Sequence, residues 1–229
     1  MKKYWRAFKE NDIIGFDQPN DLAGHLLRSK VAGKYGLFGM TPMWDGVKVH
    51  EFYPPLSSIF INFLSLKLSL LLSIIYGFSI FAFYKDPMVG LAFIVSYFFL
   101  SPLLYCGRFP EILGHLFVIH AFFAKEFYLS GLLLGLAGLT HPLSLLFGLI
   151  LLLAKFNIFI SPETNLYISL ETNLFIYLIA GLVCGWWVLP FFLRRKKVGY
   201  LAEGEKYGTV LSIYWISWAT IFNNLIFIF

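Results

Sequence analysis

Two pairs of ionisable side chains in this chain repeat one spacing. Asp21 and His25 stand four residues apart, which on a helix places both on one face. A carboxylate and an imidazole so placed can act as an acid/base pair or co-ligate a divalent cation. Glu111 and His115 repeat the spacing, with Arg108 three residues before the carboxylate. Ionisable groups at membrane depth are costly, so a Glu–His pair there is a functional candidate. Each pair also has a plainer reading. Asp21 would favour a helix N-terminus beside a solvated His25, and Glu111 and His115 would satisfy each other just below the headgroups. His120 reads as a hydrogen-bonded core histidine. His141 precedes Pro142, where a freed carbonyl and an imidazole can point toward a polar cavity.

The composition says what must position these groups. The chain of 229 residues is 59% hydrophobic and 20% aromatic, with 14% charged residues, against about 25% charged in an ordinary soluble domain. Its mean hydropathy is +0.73. Long apolar runs without period-2 or period-3.6 alternation predict an all-α, polytopic bundle in a cell membrane. The expected architecture is about six or seven spans, with residues 1–67 forming a polar N-terminal segment with interfacial helices and 68–229 the bundle. The net charge of +5 lies in loops between apolar runs and suits anionic lipid headgroups, with nucleic acid excluded as a partner. Cys106 and Cys184 fall in or beside apolar runs and read as small hydrophobes. Residues 1–15 are basic, lack an apolar core, and read as neither a signal peptide nor an anchor.

Along the chain, Asn20 is a plausible cap for a helix through Leu22, Leu26 and Leu27, ended by Gly33 and Gly36. Leu56 to Leu66 is too short to span and reads as interfacial, with Lys67 near a headgroup. Spans follow over Leu68 to Tyr84, Met88 to Tyr105 and Ile112 to Ala124, then over Leu174 to Leu193 and Gly208 to Phe229. Phe127 to Ala154 is broken at Thr140-His141-Pro142. Each half is shorter than the roughly 20 residues of a straight span, which favours one helix kinked at Pro142. Two short helices meeting at His141 remain the alternative. The kinked helix also puts Lys85, Lys125 and the Arg194–Lys197 cluster on one cytoplasmic side. In both cases the polar segment 17–55 and the turn 107–111 share the other side. The cluster itself is a topology determinant or a grip on lipid phosphate. Phosphate-loop, nucleophile-elbow and Cys-x-x-Cys motifs are absent from the sequence, against nucleotide-hydrolysing, serine-hydrolase and zinc-finger chemistries.

A longer series of residues carries a resemblance. Asp21-Leu-Ala-Gly-His25, Trp44 with Gly46, Tyr53-Pro54-Pro55-Leu56, Ser101-Pro102 and Arg108-Phe-Pro-Glu111 come in that order. Leu129-Ser-Gly-Leu-Leu-Leu-Gly-Leu-Ala-Gly-Leu-Thr-His141-Pro142 and Trp187 with Pro190 follow. The series resembles the GT-C superfamily of multi-pass membrane glycosyltransferases, and within it the 6-pyruvoyl-tetrahydropterin synthase-related membrane domain. The resemblance implies sugar transfer from a polyprenyl-phosphate-linked donor on the extracytoplasmic side. It makes Asp21 and Glu111 the catalytic acidic residues and candidate metal ligands for a cation such as Mg or Mn. His25, Arg108, His115 and His141 become substrate-binding groups, and membrane lipid and the polyprenyl-phosphate sugar the partners. It also favours two helices around His141. A helix that the family carries before the Asp-x-x-x-His loop has no counterpart here, so the expectation is a member or a fragment of one. The alternative is a non-catalytic membrane subunit or a lipid/solute transporter with an intramembrane path through Glu111 and the histidines.

Overall fold

The structure, a computed structural model, describes residues 21–37, 39, 50, 54–105, 107–158, 166–194 and 220–229. The described residues form helices and turns, without strands. In order they are α1 (Asp21–Tyr35), α2 (Leu56–Leu64), α3 (Leu66–Tyr84), α4 (Pro87–Val95) and α5 (Tyr97–Leu100), which continues into a π-helical turn (Ser101–Tyr105). Then come α6 (Phe109–Phe123), α7 (Phe127–Thr140), α8 (Pro142–Ile158) and α9 (Leu166–Arg194), and α10 over 220–228. Two of them, α3 and the 171–190 stretch of α9, are long and apolar enough to cross a membrane. At 1.5 Å per residue α3 is about 28 Å long. The apolar helices α6 and α7, of 15 and 14 residues, reach only about 21–22 Å.

Local chemistry sets the breaks. Helix α1 stops at Tyr35 because Gly36 takes φ +81, a conformation that costs glycine little. Ser65, at φ 70, separates α2 from α3, and its hydroxyl accepts from the Leu68 N–H. The expected interfacial helix and first span thus meet at Ser65, two residues before Lys67. Asp86 caps α4 by accepting from the Met88 N–H at 2.7 Å, with Pro87 in the first turn. The run from Met88 to Tyr105 is not one helix: Ser96 turns to φ −62, ψ 141 and divides it. The expected cap Asn20, the cluster Arg195–Lys197, Cys106 and most of the expected last span lie outside the described residues.

Helix α6 is the axle of the bundle, buried over Phe109–Ile119. Its apolar cluster joins Phe81, Phe93, Leu103, Leu116, Leu134, Leu152 and Ile176 with Leu22 and Leu26 of α1. Helix α1 therefore shares the bundle's core. Helices α3 and α6 run in the same direction. Tyr76 meets His120, and Tyr84 stacks on Phe123 at 5.3 Å.

Of the two readings at His141, the structure takes the two-helix one and not the kinked helix that length favoured. His141 is extended, at φ −155 and ψ 132, and α7 and α8 fold back on each other as a hairpin. A Cβ on Gly148 would lie 2.5 Å from Leu134, and one on Gly138 3.3 Å from Leu145, so positions equidistant from the turn meet. Pro142 has no N–H and disfavours helical geometry in the residue before it, which opens the chain at His141. A second, non-local cause holds α7 in place. Its stripe Gly131, Gly135 and Gly138 lies against Ile176, Ile179, Val183 and Cys184 of α9, with would-be Cβ distances of 2.5–3.1 Å. Small residues let two backbones approach in this way.

The hairpin also decides polarity. Lys85 lies over the Phe123 ring at 5.8 Å, so Lys85 and the turn at Lys125 share one end. The C-terminal part of α9 runs parallel to α7 and reaches the opposite end, where Trp187 donates to the His50 carbonyl at 2.9 Å. The last residue of α9, Arg194, therefore lies at the end that holds Arg108.

Candidate functional site

The end of the bundle opposite Lys85 gathers most of the ionisable groups singled out above. It is built from the N-terminus of α6, the α7–α8 turn and α1. Gly107, at φ 71, turns the chain out of the π-helical segment, and the Arg108 N–H donates to the Pro102 carbonyl at 2.9 Å. Arg108 then donates from Nη1 to Glu111 Oε2 at 3.1 Å, with the two residues 8% and 4% exposed. One turn deeper, His115 is 1% exposed and lies edge-on to Phe147 at 5.3 Å. Neither of its ring nitrogens has a hydrogen-bond partner among the described residues.

The hairpin docks on α6 through small polar groups. The Ser144 hydroxyl donates to the Glu111 carbonyl at 3.1 Å. Gly114 leaves room for it: a Cβ there would lie 2.5 Å from Ser144 Oγ and 2.6 Å from Thr140 Oγ1. This contact brings His141 over the site, where Arg108 is near enough for its charge to act on both His115 and His141.

Helix α1 closes the group. His25 is buried and hydrogen-bonds the Gly107 backbone, while Arg28 Nη1 donates to its Nδ1 at 3.4 Å. Burial above all, then the charges of Arg28 and His141, lowers the His25 pKa to about 3. At neutral pH the ring is uncharged. The backbone of Asp21 stands one turn before His25 in α1; its side chain is outside the described set. Ser29 on the same helix donates to the Ser58 carbonyl at 3.0 Å and ties α1 to α2.

His25, Arg108, Glu111, His115 and His141 thus meet at one end, joined by Arg28, Thr140 and Ser144. Arg28 was legible as the i+3 neighbour of His25. Thr140 and Ser144 carried no spacing signal. His120 lies elsewhere: Tyr76 and His120 share a 2.7 Å hydrogen bond, at an apolar cavity of about 270 Å³ lined by Phe60, Leu72, Phe109, Leu113 and Phe117 among others. His115 and His120 are five residues apart, about 140° around the helix, and turn toward α8 and α3 respectively.

The expected divalent cation finds little support in this donor set. Among the described residues no three His, Cys, Asp or Glu side chains are grouped to hold a metal. Glu111 is engaged by a guanidinium, and imidazoles are poor ligands for Mg or Mn, which prefer oxygen. Compared with known proteins, the chain matches no protein-family model, no curated protein and no solved structure.

Proposed function

We propose that the chain is a multi-pass membrane protein of the GT-C type that transfers a sugar from a polyprenyl-phosphate donor, its reaction centre at the Arg108 end of the bundle on the extracytoplasmic side. The observation that supports this reading is convergence. The helix bearing Asp21 places His25 against the Gly107 backbone and within electrostatic reach of His141, although 80 or more residues separate them in sequence. Asp21 is the general base toward the acceptor hydroxyl, and Glu111 orients Arg108. Arg108 and Arg28 offset charge on the leaving phosphate. In this reading the short helices α6, α7 and α8 count as spans beside α3 and α9.

The transporter reading needs one polar route through the bundle. The opposed directions of His115 and His120 give it less support. The test is transfer of labelled sugar from a polyprenyl-phosphate donor by membranes containing the full chain. Asp21→Asn and Glu111→Gln are each expected to abolish transfer while membrane insertion is retained. Full activity in either variant removes that residue from the reaction, and absence of transfer from any such donor ends the proposal.

A further inference from the structure

The imidazole of His115 is buried, 1% exposed, at the centre of this cluster. A polar group taken out of water without a hydrogen bond is destabilising, and both nitrogens of this ring lack one among the described residues. Such groups persist where a ligand or water completes them. The surroundings select the ligand's charge. On α6 itself the ring lies below Arg108 and Glu111; from the α7–α8 turn His141 acts on it; Phe147 and Ser144 of α8 are uncharged. Next to His141, α1 adds His25 and Arg28. Among these described side chains two guanidiniums and three imidazoles face a single carboxylate, so the cluster favours an anion. Arg28 and His141 are half-buried and give it access from the end of the bundle.

We propose that this cluster is a proton-linked oxyanion site: a phosphate-type group binds between Arg108 and His141, and His115 takes one proton from solvent as the anion arrives. The neutral ring offers one donor and one acceptor, whereas the imidazolium offers two donors. An acceptor-only oxyanion therefore favours the protonated form. No bond to the ligand is made or broken; one solvent proton moves onto the ring and leaves with the anion. The proposal rests on the preceding reading only in taking this end as the ligand site, and it holds whether or not sugar is transferred.

The test uses the full chain in phosphatidylcholine nanodiscs with sulfate, an oxyanion whose own charge is constant between about pH 8 and about pH 6. Calorimetric titration is expected to give at least tenfold tighter binding at the lower pH, with close to one proton taken up per sulfate. Proton uptake is read from the wild-type protein in buffers of different ionisation enthalpy. His115→Gln is expected to remove the pH dependence, and His120→Gln, outside the cluster, to retain it. Adding phosphatidylglycerol separates the sources of the anion. Weakened sulfate binding points to a lipid phosphate, and unchanged binding to a soluble one. Zero proton uptake in the wild type overturns the proposal, as does a pH dependence that survives His115→Gln or no sulfate binding at either pH. Loss of sugar transfer with sulfate binding intact counts against the transferase reading alone.

Discussion

Replacing Glu111 by Gln keeps the shape of the side chain and removes its charge, which isolates what the Arg108–Glu111 pair does for the fold. The two atoms lie 3.1 Å apart in residues 8% and 4% exposed. At an effective dielectric of about 20, that separation gives an attraction of roughly 5 kcal/mol. Desolvation of both ions offsets most of it, so the net worth of the intact pair is small. Removal of one partner is different, because the guanidinium stays buried without its carboxylate, at a cost of about 3–5 kcal/mol. For a chain of this size 1 kcal/mol moves Tm by about 2–4 °C, so Glu111→Gln is expected to melt roughly 10 °C below the wild type. The double variant Arg108→Met/Glu111→Gln leaves no buried charge at this position and is expected to recover most of the loss. Thermal unfolding of the detergent-solubilised protein, followed for wild type, both single variants and the double, measures the coupling directly. A Glu111→Gln protein that melts with the wild type refutes the reasoning, as does a double variant whose loss is the sum of the singles. Transfer assays on Glu111→Gln belong well below its melting temperature.

Other consequences are separately measurable. Gly135→Ala places a Cβ 2.5 Å from that of Val183 and is expected to destabilise by about 1–3 kcal/mol, whereas Gly181→Ala meets nothing within 4 Å and leaves Tm unchanged or raised. His25 is neutral in the fold, with its pKa lowered from 6.5 to about 3. The unfolded chain therefore binds more protons between those values. Its stabilising contribution is complete above about pH 6.5 and falls as pH drops toward 3, and His25→Gln is expected to flatten that part of the stability–pH curve. Tyr76→Phe removes the hydrogen bond to His120 and is expected to cost about 1 kcal/mol, read as a small fall in Tm. A single cysteine at 141 is expected to label from one side of the membrane and cysteines at 85 and 125 from the other. Labelling of 141 with 125 would contradict the hairpin.

The sequence by itself determined the helical class, the breaks at Gly36 and Pro87, and the Arg108–Glu111 spacing, because each depends on neighbours within one turn. Glycine tolerates positive φ, proline removes an N–H, and side chains three or four apart on a helix meet. It also marked His141-Pro142 as a break. What the chain does after that break was not local information. Length alone favoured a single kinked helix, since neither half reaches the roughly 20 residues of a span. The fold back into a hairpin depends on α7 lying against α9 along Gly131, Gly135 and Gly138, and on Ser144 reaching the Glu111 carbonyl. Only the tertiary structure decided that His25 and Arg28 come to rest beside Gly107 and His141. Contacts between residues 80 or more positions apart follow from which surfaces fit, and spacing within a helix cannot encode that.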